Sequence, residues 1–147
     1  LFYIGIPGKQ MTITNTPISF IEAHDSHMDR MTIALGDSAE LHFDELMVYH
    51  YVDTDKSAVW IYQAALVLTA VSSISVHGSL LPHIDLDDGA VLNGDTDLNW
   101  ADLLEPQPAT RVTISFLNGS SIEVHCSSAH LLLQTPVRYL EEWVEPL

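Results

Sequence analysis

The stretch RVTISFLNGSSIEVHC, Arg111 to Cys126, constrains the fold more tightly than any other part of the chain. Two alternating β-branched runs flank Asn118-Gly119, which signals a hairpin. A two-residue Asn-Gly turn would pair Phe116 with Ser121, Ile114 with Glu123 and Val112 with His125, mixing apolar and polar side chains on each face. A three-residue loop, Leu117-Asn118-Gly119, pairs Phe116 with Ser120, Ile114 with Ile122 and Val112 with Val124, and one face becomes almost wholly apolar. It also places Gly119 at the left-handed position that such loops require. Slipping by one residue would turn one strand's apolar set to solvent, so the three-residue loop is the expected register.

A similar pattern lies earlier, in RMTIALGDSAELHF from Arg30 to Phe43. Met31, Ile33 and Leu35 are expected to face Phe43, Leu41 and Ala39 across a Gly36-Asp37-Ser38 loop, with Arg30 opposite Asp44. Asp37-x-x-Glu40 also has the form of a capping box, which would instead start a helix running through Tyr51. Asp53 to Ser57 is turn material, followed by a long apolar run. That run reads as a central strand, bent or broken near Thr69 and continuing to Val76, with a buried helix from Ser57 as the alternative. Gly78 to Thr110 reads as loop-rich, with Pro82, Gly89, Gly94, Pro106 and Pro108. Within it, a short helix is expected near 97–104, capped by Asp95 or Asp97 and burying Trp100, Leu103 and Leu104. The closing TPVRYLEEWVEPL predicts a C-terminal helix, with Thr135 as cap, Pro136 at the first helical position, an apolar stripe of Val137, Leu140 and Val144, and Pro146 as the stop. The expected fold is therefore α+β: a twisted, mainly antiparallel sheet of about six to eight strands packed against that helix. A single domain spans 11–147. Residues 1–10, ahead of Met11, read as an upstream or cloning-derived extension, with a packed N-terminal strand as the competing view.

At 147 residues, with 47% hydrophobic side chains, the chain is long and apolar enough to build a core without staples. Its lone cysteine, Cys126, excludes an intramolecular disulfide and suits a reducing cytoplasm. No apolar run reaches the length of about 18 residues that a membrane-spanning helix needs. Twenty acidic residues face five basic ones, a net charge of −15, and no Lys or Arg falls between Lys56 and Arg111. Nucleic acid and anionic membranes are disfavoured partners, because both are held by Lys and Arg. The charge reads first as a source of solubility, with a preference for cationic partners, metals or amines as the alternative.

Four sets of residues invite a functional reading. FIEAHDSHMD, Phe20 to Asp29, gathers Glu22, His24, Asp25, His27 and Asp29. It reads as a polar turn, with His24 and His27 as a minority metal site, since they share a face only on a helix. HIDLDDGAVLNGDTDLN, His83 to Asn99, holds Asp85, Asp87, Asp88, Asp95 and Asp97. It reads as an acidic loop with weak divalent binding through Asp85, Asp87 and Asp88, or as a surface for a cationic partner through all five. Gly89 comes one residue too early for a helix-loop-helix calcium site, and the closing glutamate is absent. Tyr49, Tyr51, Trp60 and Tyr62 lie on the two arms of an expected hairpin, as core packing or as the wall of a ligand pocket or interface. Cys126 reads as a buried thiol, with His125 on the opposite side of the strand and facing Arg111. An acid–base site would need His42, His50 or His125 set against a carboxylate. No phosphate loop, dinucleotide fingerprint or nucleophile elbow is present.

Short, acidic and compact, with LFYIGIPGKQ ahead of a plausible start at Met11, the chain resembles the orphan bacterial proteins carried on mobile gene cassettes such as integron cassettes. The resemblance rests on the whole chain and on no motif, and it implies a small oligomer with a ligand cleft. Three functions are weighed. The first is a non-catalytic cytoplasmic protein that binds a small ligand or a protein, acts as a homodimer and needs no cofactor. The second is a small His/Asp hydrolase or isomerase assisted by a divalent ion. The third is an acidic inhibitor or immunity-type protein covering a basic partner.

Overall fold

The computed structural model describes residues 3–6, 9–12, 17–34, 37–79 and 84–144, with backbone pairing alone for 3–12. The chain forms β1 (Tyr3–Ile6), β2 (Lys9–Thr12), β3 (Ile18–Ala34), β4 (Ser38–Asp53), β5 (Lys56–Thr69), β6 (Ser73–His77), β7 (Ile84–Asn93) and β8 (Thr96–Asp97). A 3-10 turn at Trp100–Leu104 follows, then β9 (Gln107–Pro108), β10 (Arg111–Phe116), β11 (Ser121–His125) and β12 (Ser128–Val144). β1 and β2 pair with each other as a hairpin. The other ten strands form one antiparallel sheet in the order β6-β11-β10-β7-β3-β4-β5-β12-β9, with β8 on β7. Among the described residues no helix is long and apolar enough to cross a membrane.

The α+β expectation is thus corrected to an essentially all-β fold. In place of the C-terminal helix stands β12, which pairs along β5 from Ser128↔Thr69 to Val144↔Lys56. Thr135-Pro136 mimics a helix start, but Val137, Tyr139 and Trp143 are good strand formers, and pairing with an already buried neighbour outweighs the local signal. Pro136 falls at a register shift, where a missing N–H is tolerated. The short helix near 97–104 is only a five-residue 3-10 turn, capped by Asn99, whose side chain accepts from the Ala101 N–H, rather than by Asp95 or Asp97. Trp100 and Leu103 are buried as expected. The segment read as an acidic loop holds a ten-residue strand, β7, deep in the sheet order. Phe20 to Asp29, read as a turn, lies inside β3. Pro82 and Pro146 lie outside the described residues.

The hairpin at 111–125 has the expected register, with Val112↔Val124, Ile114↔Ile122 and Arg111↔His125. Gly119 has φ +85°. The hairpin of β3 and β4 pairs Met31↔Leu41 and Ile33↔Ala39. Each partner on β4 falls two residues earlier than expected, so the turn keeps its length but moves one residue toward β3, Arg30 pairs with His42 rather than Asp44, and every side chain keeps its face. Leu35 and Gly36 lie outside the described residues. The apolar run breaks after Thr69, where Ala70 takes φ +51°, and resumes as β6.

β3, β4, β5 and β12 share a crease. β4 uses three steps, Phe43 to Leu46, where β5 uses two, Ala64 to Tyr62. β12 does the same from Leu133 to Pro136 against that segment, and β3 bulges between Glu22 and His27. Asp25, in that bulge, has φ +63°. Extra residues on successive strands bend a sheet. Bent, the sheet folds over, so that Leu41, Phe43, Val48, Trp60 and Leu66 share one core with Leu86, Val112, Ile114, Ile122 and Val124. Trp100 seals that core, edge-on to Phe43 with ring centres 5.9 Å apart. Each such fully buried side chain contributes roughly 1.5–3 kcal/mol.

Candidate functional site

The turn between β4 and β5 and the start of β3 enclose an open cavity of about 500 Å³. Strand geometry decides which aromatics reach it. Tyr49 and Tyr51 are two apart on β4, share a face, and line the cavity. Trp60 and Tyr62 pair with Val48 and Leu46, and so point to the opposite face, where both are buried. The four aromatics expected to act together are therefore split. Phe20 of β3 completes the cavity's aromatic wall, edge-on to Tyr49 at 5.5 Å. Phe20 is 47% exposed and Tyr51 46%. Sequence reading missed Phe20 because its contact with Tyr49 depends on the β3–β4 register beyond the bulge, and no local pattern encodes that register.

Glu22, Asp53, Asp55 and Lys56 supply the charges of this cavity. The Tyr49 hydroxyl donates to Glu22 Oε2 at 2.8 Å. Desolvation, and then the Glu22 carboxylate, push the Tyr49 phenol well above its ordinary value, so it remains a proton donor. The Lys56 ammonium lies 3.8 Å from Glu142 Oε1 on β12.

A second cavity, of about 450 Å³, lies between β3, β7 and the 3-10 turn. His24, Asp88, Gly89, Asp97 and Trp100 line it, and Phe20 and Glu22 border both cavities. Trp100 lies against Gly89, and its indole N–H donates to the Gly89 carbonyl at 3.2 Å. His24 Nδ1 donates to the Asp87 carbonyl at 2.5 Å, and Nε2 lies 3.5 Å from Asp25 Oδ2. The Asp87 carbonyl first, and then the Asp25 charge, raise the His24 pKa above its usual value.

The two histidines of the candidate metal set serve different partners. His27 Nδ1 is 2.8 Å from Glu45 Oε2, and its Nε2 contacts Asp85 Oδ1. Glu45 Oε1 in turn accepts from Arg138 at 2.8 Å. This polar chain ties β7 to β3, β4 and β12. Asp88 Oδ1 accepts from the Gly89 N–H at 2.8 Å, while Asp87 is exposed. Asp95 lies in the exposed turn between β7 and β8, and Asp97 on β8. The five aspartates are thus spread over a strand, a turn and a second strand, and do not form one loop surface. Among the described residues no group of three or more His, Cys, Asp or Glu side chains is arranged to hold a metal ion.

The remaining candidates have structural partners. His50 is buried, with Nε2 2.8 Å from the Tyr62 hydroxyl, and burial pushes the Tyr62 phenol up to about 12. His42 Nε2 is 3.1 Å from Glu40, and its Nδ1 faces Arg30 at 3.5 Å. His125 reaches Glu123 at 3.0 Å on the exposed face. Cys126 packs partly against the core and donates to the Ala109 carbonyl at 3.6 Å, and burial pushes its thiol pKa up. Comparison with protein-family models, curated proteins and solved structures finds no match to this chain.

Proposed function

We propose that this is a non-catalytic, cytoplasmic protein that binds a small organic ligand in the cavity walled by Phe20, Tyr49 and Tyr51. One observation carries the reading: two aromatic rings, Phe20 and Tyr51, stand nearly half exposed around an open cavity of about 500 Å³. Ligand sites commonly fall between about 300 and 1,000 Å³, with aromatic walls and a few placed polar groups. Here Glu22, Ser19 and Ser57 are such groups. His42 and His125 each stand against a carboxylate, Glu40 at 3.1 Å and Glu123 at 3.0 Å, but neither lines this cavity, and His50 is buried against Tyr62. The sequence expectation of self-association draws support from the exposed Val137 and Leu140 of β12, and sedimentation velocity is expected to show a dimer.

The cleft is tested by titrating a library of small fragments into labelled protein and following backbone amide shifts. Hits are expected to converge on residues 19–22, 49–51 and 53–57 and to be lost in Tyr51→Ala, a change at an exposed ring that leaves the core untouched. Hits scattered over the surface, or unchanged in Tyr51→Ala, would overturn the reading.

A further inference from the structure

We propose that the two cavities form one elongated site whose ligand is a linear organic polycation, an aliphatic amine with ammonium groups separated by methylene spacers. The inference rests on the cleft reading above and specifies its ligand.

Three observations converge. The cavities share Phe20 and Glu22 as a common border, so a ligand passing over that border touches both lobes. Carboxylates stand in each lobe and between them: Asp53 and Asp55 in the first, Asp88 and Asp97 in the second, and Glu22 at the border. The border itself is apolar where Phe20 stands, its ring 47% exposed. An alternation of anionic, aromatic and anionic surface matches a chain that alternates ammonium and methylene groups. Methylenes would cover the Phe20 ring, and ammonium groups would meet carboxylates and aromatic faces, where cation–π attraction adds to the ion pairing.

The basic side chains nearby are already engaged. Lys56 leans toward Glu142, and His24 is held by the Asp87 carbonyl. Several of the acids are held in place by neutral donors rather than by cations. Glu22 accepts from Tyr49, Asp88 from the Gly89 N–H, and Asp53 from the Thr54 N–H at 2.7 Å. Such bonds fix a carboxylate without cancelling its charge. A net charge of −15 raises the local concentration of any cation.

The test uses spermidine as probe at fixed ionic strength, with n-butylamine, 1,8-octanediol and magnesium chloride as comparisons, read by backbone amide shifts and calorimetry. Spermidine is expected to perturb 20–24, 53–57 and 88–99 together and to bind about tenfold tighter than butylamine. Asp55→Asn and Asp97→Asn, exposed positions at opposite ends, are each expected to weaken it roughly two- to fivefold. Equal binding of the diol at the same residues would overturn the polycation and leave the cleft standing. Perturbation of one lobe alone would overturn the single elongated site. Magnesium binding as tightly as spermidine, or shifts spread over every acidic surface, would reduce the effect to bulk charge and overturn the proposal. No shift at the lining residues with spermidine or with the fragment library would remove the cleft reading as well.

Discussion

Gly119 and Gly89 are both glycines of necessity, for different reasons. At Gly119 an added Cβ would meet nothing within 4 Å, but φ is +85°. Gly119→Ala is therefore expected to cost about 1 kcal/mol, all of it backbone strain. At Gly89 an added Cβ would press on Ile114 Cδ1 and Trp100 Cζ2 at 3.1 Å and on Ala23 at 3.2 Å. Gly89→Ala is expected to cost about 1–3 kcal/mol by overpacking and to loosen the Trp100 indole. Urea unfolding followed by tryptophan fluorescence separates the two, because only the second variant should alter the native emission. The first glycine was legible in the sequence because Asn118-Gly119 and its flanking alternation are local. The second was not, because what it accommodates, Trp100, arrives from the turn beyond β8. His24 adds a prediction in pH. Its folded pKa is raised, so its contribution to stability is fully present below its unfolded value of about 6.5 and is lost as pH rises through the folded value. The His24 imidazole should titrate above about 6.5 by NMR, and His24→Gln should flatten the stability profile in that window.

At the level of elements, β12 shows where local signals mislead. Its helix-like start and the spacing of Val137, Leu140 and Val144 are real features of the sequence. What decides the outcome is β5, a strand buried on both faces at Val59, Trp60, Ile61 and Leu66, which needs a partner along its second edge. The α+β expectation failed here because the deciding partner is distant in sequence. The β10–β11 hairpin succeeded because its arms are adjacent. Beyond β9, which covers only Ser128 and Ala129, the outer edge of β12 is unpaired among the described strands. Three register shifts and Pro136 make that edge irregular, a known guard against strand addition. Association through β12 is therefore expected to use the side chains of its face. Pro136→Thr, which restores an N–H, is expected to promote larger assemblies by edge pairing, seen as faster-sedimenting species at equal concentration. A sedimentation profile identical to the unsubstituted protein would refute this role for the proline.

Across the whole molecule, the candidate site is a product of the crease. The aromatic pair Tyr49 and Tyr51 was legible from the strand pattern, but their companions Phe20 and Glu22 reach them only because β3 bulges between Glu22 and His27. The acidity of the chain was plain in its composition, whereas the grouping of Asp53, Asp55, Glu22, Asp88 and Asp97 around two adjoining cavities needed the folded sheet. The pairing of β5 with β12 also sets an order in time. β4 and β5 are joined through Thr54 and Asp55 and meet early, whereas β12 joins β5 across 59 residues at one end (69 to 128) and 88 at the other (56 to 144). Closing such long loops makes late pairing slow. Until β12 arrives, β5, apolar on both faces, presents an open edge, which is a template for a second chain. Refolding by dilution should therefore lose yield as protein concentration rises, and in pulse-labelled hydrogen exchange the amides of 111–125 should gain protection before those of β12. The same strand that anchors the finished core is, for the first moments of folding, the chain's main exposure to its own copies.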